Sequence, residues 1–219
     1  MKSVKDMMLL YAVTDRYWTG RQTLTEQVEE AIKGGVTCVQ LREKELDDAE
    51  FLSEANEIKK LCKMYDVPFI VNDNVDVALK CGADGIHVGQ HDMRLEKVRA
   101  LTGGKMIVGV SAQTVEQAKE AEKNGADYLG VGAMFSTGTK PDADDVSYET
   151  LKAICAAVSI PVVAIGGINK DNIMQLSGSG ADGVALVSAI FSAEYIEKEC
   201  IELKAAAKSM VLSERDDRI

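Results

Sequence analysis

Residues 36–44 read Val36-Thr37-Cys38-Val39-Gln40-Leu41-Arg42-Glu43-Lys44, an apolar run that becomes charged at its end. The part from Val36 to Leu41 predicts a buried strand, and residues two apart in a strand share a face. Val39 and Leu41 should therefore pack against helices behind the sheet, whereas Gln40 and Arg42 point the other way. An amide and a cation are thus aimed at something polar in front of the strand end.

The cations at this strand end indicate an anion-binding role. Arg42 offers a planar fork of donors, and Lys44, just past the strand, offers a point charge. This combination suits a multiply charged anion. The alternative is an ordinary charged strand exit, with Glu43 and Glu45 as salt-bridge partners.

Apolar runs of this kind recur along the chain and alternate with segments of helical periodicity. The eight runs are Leu9–Val13, Val36–Leu41, Val67–Val71, Gly85–Val88, Met106–Val110, Tyr128–Val131, Pro161–Ile165 and Gly183–Val187. Helices are indicated at Leu24–Lys33, Ala49–Met64, Val115–Lys123, Tyr148–Ala157 and Ala193–Lys208. Strands that alternate with helices imply parallel pairing and right-handed crossovers. We therefore predict an α/β fold, a (β/α)8 TIM barrel with eight parallel strands and the helices outside.

A short repeat supports this alternation. The sequence Gly-Ala-Asp stands between a helical segment and a strand at residues 82–84, 125–127 and 180–182. Glycine suits the left-handed turn that ends a helix before the chain enters a strand. These turns lie at the end of the barrel where residues serve stability, so we assign them no chemistry.

The composition indicates one globular domain and argues against several functions. The 219 residues fit a single TIM-barrel domain over residues 1–219, with about residues 210–219 as a frayed tail. A net charge of −10 argues against nucleic-acid binding, which needs a basic surface. No segment has transmembrane length or the pattern of a signal peptide, so no membrane association is expected. Five scattered cysteines suit a reducing compartment and hence the cytoplasm. Barrels of this size often pair, so a homo-oligomer is also an expectation.

In such a barrel the chemistry lies at the carboxyl ends of the strands. Asp73 and Asp92 follow neighbouring strands, and two nearby carboxylates repel each other unless a proton or a metal separates them. Mg²⁺ takes one or two carboxylates and fills its other positions with water and phosphate oxygens, so these residues are candidate Mg²⁺ ligands. The alternative for Asp92 is a cap on the helix that follows it.

Later strand ends carry hydroxyls and glycines. Ser136-Thr137-Gly138-Thr139-Lys140 is either a binding loop or a polar surface loop. Gly166-Gly167 and Ser188 end the last two strands, where many barrels bind phosphate through backbone N–H groups and a helix N-terminus. His87 is expected to pack inside the end of the fourth strand and His91 to be a loop residue, so neither is assigned chemistry.

Six short motifs occur in a distinctive order. They are Leu10-Tyr11-Ala12-Val13-Thr14-Asp15-Arg16, Gln40-Leu41-Arg42-Glu43-Lys44, Val71-Asn72-Asp73, His87-Val88-Gly89-Gln90-His91-Asp92, Thr137-Gly138-Thr139-Lys140 and Ala164-Ile165-Gly166-Gly167-Ile168. Together they resemble the thiamine-phosphate synthase family from the first strand to the eighth. The resemblance implies an Mg²⁺-dependent transferase that condenses 4-amino-2-methyl-5-hydroxymethylpyrimidine diphosphate with 4-methyl-5-(2-phosphooxyethyl)thiazole, giving thiamine phosphate and pyrophosphate.

The resemblance also implies roles for individual residues. The pyrimidine diphosphate would be held by Gln40, Arg42, Lys44, Asn72 and Lys140, with Ser111 near the pyrimidine. The thiazole phosphate would be held by Thr137, Thr139, Gly167, Val187 and Ser188, and Mg²⁺ by Asp73 and Asp92. The catalytic residues would be Arg42, Lys44, Lys140 and Ser111. Two departures from the family pattern, Ser136 in place of proline and His91 in place of an acid, remove no proposed ligand.

The implied reaction is dissociative. The C–O bond to the diphosphate breaks first because the electron-rich aminopyrimidine stabilises a cation, while Mg²⁺ and the cationic side chains stabilise the pyrophosphate. The thiazole nitrogen then attacks without a base. Two alternatives stay open, a related thiazole tautomerase and a non-catalytic phosphate-sensing barrel. The presence of the diphosphate and Mg²⁺ residues favours the synthase.

Overall fold

Eight parallel strands close into a barrel in the computed structural model, which describes residues 3–136 and 145–213. Neighbours in the chain are neighbours in the sheet, and the first strand pairs with the last. The strands are β1 (Leu10–Val13), β2 (Cys38–Leu41), β3 (Phe69–Asn72), β4 (Gly85–Val88), β5 (Ile107–Ala112), β6 (Tyr128–Val131), β7 (Val162–Ile165) and β8 (Gly183–Leu186). The predicted (β/α)8 barrel is confirmed.

Helices connect the strands and cover the outside of the barrel. They are α1 (Val4–Met7), α2 (Leu24–Lys33), α3 (Asp48–Met64), α4 (Val75–Cys81), α5 (Leu95–Thr102), α6 (Val115–Lys123), α7 (Tyr148–Ala157), α8 (Ser188–Phe191) and α9 (Ile196–Leu212). Short 3-10 helices span Arg16–Trp18 and Ile173–Leu176. Across residues 3–136 and 145–213, none of the helices combines the length and the apolar character needed to cross a bilayer.

The last helix corrects one prediction. We expected a helix from Ala193 to Lys208 and a frayed tail from about residue 210. Instead α9 begins at Ile196 and continues to Leu212, and Met210 is only 1% exposed. Burying a large apolar side chain stabilises the final turn, so the expectation is wrong for residues 210–212. Residues 214–219 of the expected tail lie outside the described part of the chain.

Alternation along each strand divides the apolar interior into two layers. Val39 and Leu41 belong to the outer layer, between the sheet and the helices, as predicted from the sequence. Cys38 lies in the inner layer with Tyr11 and Tyr128, inside the barrel. Residues two apart therefore share a layer, because successive side chains in a strand point to opposite faces. The inner layer lies inside the barrel, next to the polar residues at the strand ends.

The two tyrosines inside the barrel are fully buried. The Tyr128 ring occupies space left by Gly109, because a Cβ on Gly109 would lie 2.1 Å from Cζ of Tyr128. The two phenol oxygens are 2.9 Å apart. A barrel interior can accept such polar tips only when they have partners, since an unpaired buried hydroxyl is costly.

The Gly-Ala-Asp repeat stabilises the opposite end of the barrel. The glycines 82, 125 and 180 have positive φ, as expected for turns that end helices. In each repeat the aspartate accepts a hydrogen bond from the backbone N–H of a neighbouring strand or its start: Phe69 to Asp84 at 2.8 Å, Val108 to Asp127 at 2.7 Å and Val162 to Asp182 at 2.9 Å. Each carboxylate also pairs with a cation: Lys59, Arg99 and Lys5, respectively. One local sequence thus joins consecutive strands three times.

Removing one of these carboxylates should destabilise the barrel without changing its rim. In Asp182→Ala the Val162 N–H loses its acceptor and Lys5 its partner. We expect the free energy of unfolding to fall by about 1–3 kcal/mol, the usual result of leaving a buried donor unsatisfied. Urea unfolding followed by circular dichroism measures this. Asp171→Ala, which alters an exposed aspartate, is the control, and equal stabilities of the two variants would contradict the role of Asp182.

Candidate active site

The end of β2 is held by a buried threonine at the end of β1. Thr14 is fully buried, its N–H donates to the Gln40 carbonyl at 2.9 Å, and its hydroxyl accepts from the Arg42 N–H at 3.0 Å. The backbone of Gln40 and Arg42 therefore has little freedom. Among residues 3–136 and 145–213, no hydrogen bond or ion pair engages the Arg42 guanidinium, so its donors are available to a ligand.

Glu43 shapes the loop that carries Lys44. Its side chain is 2% exposed and accepts hydrogen bonds from the Lys44 N–H at 2.8 Å, the Glu45 N–H at 3.0 Å and Nε of Arg16 at 2.8 Å. The expected salt bridge at this strand exit therefore exists for Glu43, but its partner is Arg16 from the first loop. The acid fixes the loop backbone and leaves Arg42 and Lys44 for other contacts.

Glu43 and Glu54 both pair with the Arg16 guanidinium, but the pKa values of the two acids shift in opposite directions. Arg16 also pairs with Glu54 at 2.7 Å. Burial acts to raise the pKa of Glu43, but hydrogen bonds from Glu45 N–H, Arg16 and Lys44 N–H outweigh it, and the net shift is downward. Burial raises the pKa of Glu54, and the hydrogen bond from Arg16 does not reverse this shift. Glu43 is thus the carboxylate that the surrounding donors hold ionised.

Lys44, Asp73 and Asp92 meet at the ends of β2, β3 and β4. Nζ of Lys44 lies 2.5 Å from Oδ2 of Asp73. Asp73 has a left-handed backbone with φ of 60°, and its N–H donates to the His87 carbonyl at 2.8 Å. Such a conformation is unfavourable for a residue other than glycine and is typical of functional positions.

The Asp92 carboxyl affects the charge of Asp73. Burial raises the pKa of Asp73, and the Asp92 carboxyl raises it further, while Lys44 opposes both effects. Oδ2 of Asp92 accepts from the Gly89 N–H at 2.7 Å, which turns the acid back toward the strand end. The alternative role of Asp92 as a helix cap is wrong, since the N-cap of α5 is Arg94 and no side chain caps that helix.

Ser111, on β5, touches a buried histidine. Its hydroxyl lies 2.9 Å from Nε2 of His87, and its carbonyl accepts from Nε2 of Gln90 at 2.6 Å. His87 is buried inside the end of β4, as expected. Its contact with a candidate site residue was not expected, because a strand pattern gives the face of a side chain and not its partner. Asn72 is the neighbour of His87 in the sheet register and ends β3, half-buried.

The loops after β6 and β7 are tied together. Phe135 N–H donates to the Gly166 carbonyl at 3.0 Å. Gly167 has φ of 64°, and a Cβ there would lie 2.6 Å from the Phe135 carbonyl oxygen and 2.7 Å from that of Ser136. Only glycine fits, so the double glycine is required by this close approach. The predicted site residues Thr137, Thr139 and Lys140 lie outside the described residues.

Val187 and Ser188 follow β8, next to the end of β7. Ser188 begins α8, a helix of four residues, and both side chains are half-buried. The first N–H groups of a helix have no partner within it. These groups and the Gly167 turn lie at the carboxyl ends of two paired strands, β7 and β8, on the same rim as the Arg42 loop, and β1 separates β8 from β2.

The structure brings some candidates into direct contact and others only onto the same rim. Lys44, Asp73 and Asp92 form one charged cluster. Gln40 and Ser111 both point into the barrel, and buried side chains connect them. The residues that support this arrangement received no site role from the sequence: Tyr11, Thr14, Arg16, Glu43, Glu54 and Tyr128. Signals were present for Tyr11, Thr14 and Arg16, which lie in the first of the six motifs, and for Glu43, an acid between two candidate anion ligands.

Comparison with known proteins identifies relatives over most of the chain. The model of a family described as thiamine monophosphate synthase matches residues 10–190. A thiamine-phosphate synthase of Clostridium acetobutylicum is 52% identical over 188 residues, which is 86% of this chain and 89% of the relative. A thiamine-phosphate synthase of Ruminiclostridium cellulolyticum is 52% identical over 203 residues, 93% of this chain and 96% of the relative.

A solved structure agrees with these matches. The thiamine phosphate pyrophosphorylase of Pyrococcus furiosus superposes with a TM-score of 0.88 at 39% sequence identity. The alignment covers 95% of this chain and 100% of that one. The similarity therefore extends over nearly the whole chain.

The role of Glu43 can be tested by anion binding. Glu43→Gln keeps the size of the side chain but loses the charge that holds two backbone N–H groups and Arg16. We expect the dissociation constant of inorganic pyrophosphate with Mg²⁺, measured by calorimetry, to rise about tenfold, since charge-assisted hydrogen bonds contribute about 1.5–3 kcal/mol. Glu45→Gln is the matched control, an exposed neighbour that should bind as the wild type does. Equal affinities of the two variants would show that Glu43 does not position the loop.

Proposed function

This chain belongs to the thiamine monophosphate synthase family, and we propose that it condenses 4-amino-2-methyl-5-hydroxymethylpyrimidine diphosphate with 4-methyl-5-(2-phosphooxyethyl)thiazole. The products are thiamine phosphate and pyrophosphate. The observation that carries this proposal is the cluster of Lys44, Asp73 and Asp92 at the carboxyl ends of the strands, on the same rim as Arg42, whose guanidinium has no partner among the described residues. Such a cluster suits a diphosphate that arrives with a divalent cation.

The donor set fits Mg²⁺. Within the described residues no three His, Cys, Asp or Glu side chains form a metal-binding group, so protein ligation would rest on Asp73 and Asp92. Mg²⁺ usually takes one or two carboxylates and completes its shell with water and phosphate oxygens. The raised pKa of Asp73 beside a second acid indicates a place where a cation is favourable. When bound, the metal would neutralise part of the diphosphate charge.

The cationic side chains act on the leaving group. As the C–O bond breaks, its electron pair goes to the pyrophosphate oxygen and the pyrimidine methylene becomes a cation. Arg42 and Lys44 face the charge that develops on the pyrophosphate, with Lys140 proposed to join them from outside the described residues. Donors placed in advance stabilise this charge without reorganising, which is the usual source of the largest rate effect.

The second substrate is proposed to bind across the barrel rim. The Gly167 turn, Val187 and the start of α8 at Ser188 would hold the thiazole phosphate through backbone N–H groups, together with Thr137 and Thr139. The phosphate would place the thiazole nitrogen lone pair next to the pyrimidine cation, and a C–N bond would form. No proton needs to be removed from this nitrogen, so positioning supplies the remaining catalysis.

The cellular setting remains an expectation. None of the five cysteines, all within the described residues, is in a disulfide, and three of them are buried, which suits a reducing cytoplasm. A homo-oligomer also stays a prediction.

The proposed reaction predicts pyrophosphate release that requires both substrates and Mg²⁺. A coupled pyrophosphate assay on the wild type separates the alternatives, since neither a tautomerase nor a phosphate-sensing barrel releases pyrophosphate. In the same assay Arg42→Ala and Lys44→Ala should lower kcat/KM by more than about a hundredfold, about 3 kcal/mol, if each contact strengthens in the transition state.

The controls for these two variants are Arg21→Ala and Lys60→Ala, which remove exposed cations elsewhere. They should keep wild-type rates. Near-wild-type rates in Arg42→Ala or Lys44→Ala would defeat the assignment of those residues, while absence of release from the wild type would defeat the proposed function itself.

The metal assignment predicts a change in Mg²⁺ dependence. Asp92→Asn keeps an oxygen that can accept from the Gly89 N–H but removes the negative charge. The Mg²⁺ concentration for half-maximal rate should rise about tenfold or more, as expected for loss of a charged ligand. The KM of the thiazole phosphate should not change. Asp171→Asn serves as control, and an unaltered metal titration in Asp92→Asn would reject Asp92 as a ligand.

A further inference from the structure

A chain of hydrogen bonds crosses the inside of the barrel. Nε2 of Gln40 donates to the Tyr11 hydroxyl at 2.8 Å, and that hydroxyl lies 2.9 Å from the Tyr128 hydroxyl. The Tyr128 hydroxyl lies 3.0 Å from Nδ1 of His87, and Nε2 of His87 lies 2.9 Å from Oγ of Ser111. We call these five residues, from β2, β1, β6, β4 and β5, the barrel relay.

The relay has a direction. Because Gln40 donates to Tyr11, the single phenolic proton of Tyr11 is left to donate, and we assign it to the Tyr128 hydroxyl because the other neighbouring acceptor, the Cys38 thiol, is weak. Tyr128 then donates to Nδ1 of His87, which must be the unprotonated nitrogen. The proton of a neutral imidazole is therefore on Nε2 and is donated to Ser111. Burial raises the pKa of both phenols well above the ordinary value, so each keeps its one proton.

The direction determines what the two ends of the relay offer to a ligand. Gln40 turns its amide nitrogen to Tyr11, so its carbonyl oxygen, on the other side of the amide, is the acceptor left for a ligand. Oγ of Ser111 already accepts from His87, so its own O–H is left as a donor. The ends therefore present one acceptor and one donor. An aminopyrimidine edge is the complement, since its exocyclic amino group donates and its adjacent ring nitrogen accepts.

We propose that the barrel relay, through Tyr11, Tyr128 and His87, fixes the hydrogen-bond polarity of Gln40 and Ser111 and thereby selects a 4-aminopyrimidine over a 4-oxopyrimidine. The three inner residues are positioning residues that touch no substrate. The part about the pyrimidine depends on the proposed function. The part about the direction of the relay depends only on the hydrogen bonds.

The selectivity follows from coupling. A 4-oxopyrimidine presents the inverted edge, an acceptor oxygen beside a donor N–H. Ser111 keeps a second lone pair for that edge, but Gln40 cannot turn the N–H side of its amide to it and keep Tyr11 paired unless both phenols and the imidazole reverse as well. Leaving one buried polar group unpaired is costly, and sites built on such groups discriminate strongly. If the relay is cut in the middle, Gln40 and Ser111 can each turn independently.

The direction can be read by NMR of the ligand-free wild type. The chain has two histidines, His87 and His91, so ¹⁵N-histidine labelling gives two ring systems, and His91→Asn assigns them. We expect His87 to be neutral, with the proton on Nε2. A proton on Nδ1, or a doubly protonated ring, would overturn the relay direction.

The selectivity is tested with Tyr128→Phe, which keeps the ring against Gly109 and removes only the hydroxyl. We expect kcat/KM for the 4-amino substrate to fall about tenfold, mostly through KM, and the preference over its 4-oxo analogue to fall at least about tenfold. The KM of the thiazole phosphate should stay unchanged. Tyr11→Phe should have the same effect, and the double variant should add little.

The matched control is Tyr148→Phe, which also loses a hydroxyl bonded at 2.8 Å to the Ser177 carbonyl but lies outside the relay. It should keep the wild-type amino-to-oxo preference. An unchanged preference in a folded, active Tyr128→Phe would overturn the selectivity while leaving the proposed function intact. A wild type that releases no pyrophosphate would defeat the proposed function, and the NMR result would still decide the direction of the relay.

Discussion

Closure of eight parallel strands is the constraint on which the rest of this molecule depends. A closed parallel barrel turns alternate side chains inward and brings all strand ends of one polarity to one rim. The Gly-Ala-Asp turns join consecutive strands at the opposite end, where their carboxylates accept strand N–H groups. Stability and chemistry therefore occupy different ends, and the rim can hold charged side chains that a core could not.

The second consequence of closure is that polar groups inside the barrel must satisfy each other. The phenols of Tyr11 and Tyr128 are fully buried, and they pair with each other and, along the relay, with Gln40 and His87. A hydrogen-bonded chain of single-proton groups has a direction, so one end constrains the other. The interior that supports the rim can thus also set what the rim recognises.

The rim carries several cations, although the net charge of the whole chain is −10. Glu43 pairs with Arg16 of the first loop. The Arg42 guanidinium has no partner among the described residues. Lys44 lies against Asp73, where a second acid, Asp92, is close enough to raise its pKa. The site is therefore a balance of nearby charges, which distant acids affect little because salt screens them.

Sequence alone determined the barrel, its strand order and most of the rim residues. The two-residue period of strands, the 3.6-residue period of helices and the positions of strand ends are local properties of a sequence. It also indicated the double glycine at residues 166 and 167, although the close approach of Phe135 and Ser136 that demands it is visible only in three dimensions. Tertiary structure decided the partners: Arg16 with Glu43, Ser111 with His87, and the burial of Met210 that extends α9. Pattern reveals which face a side chain occupies, but contacts between strands distant in sequence depend on how the barrel closes.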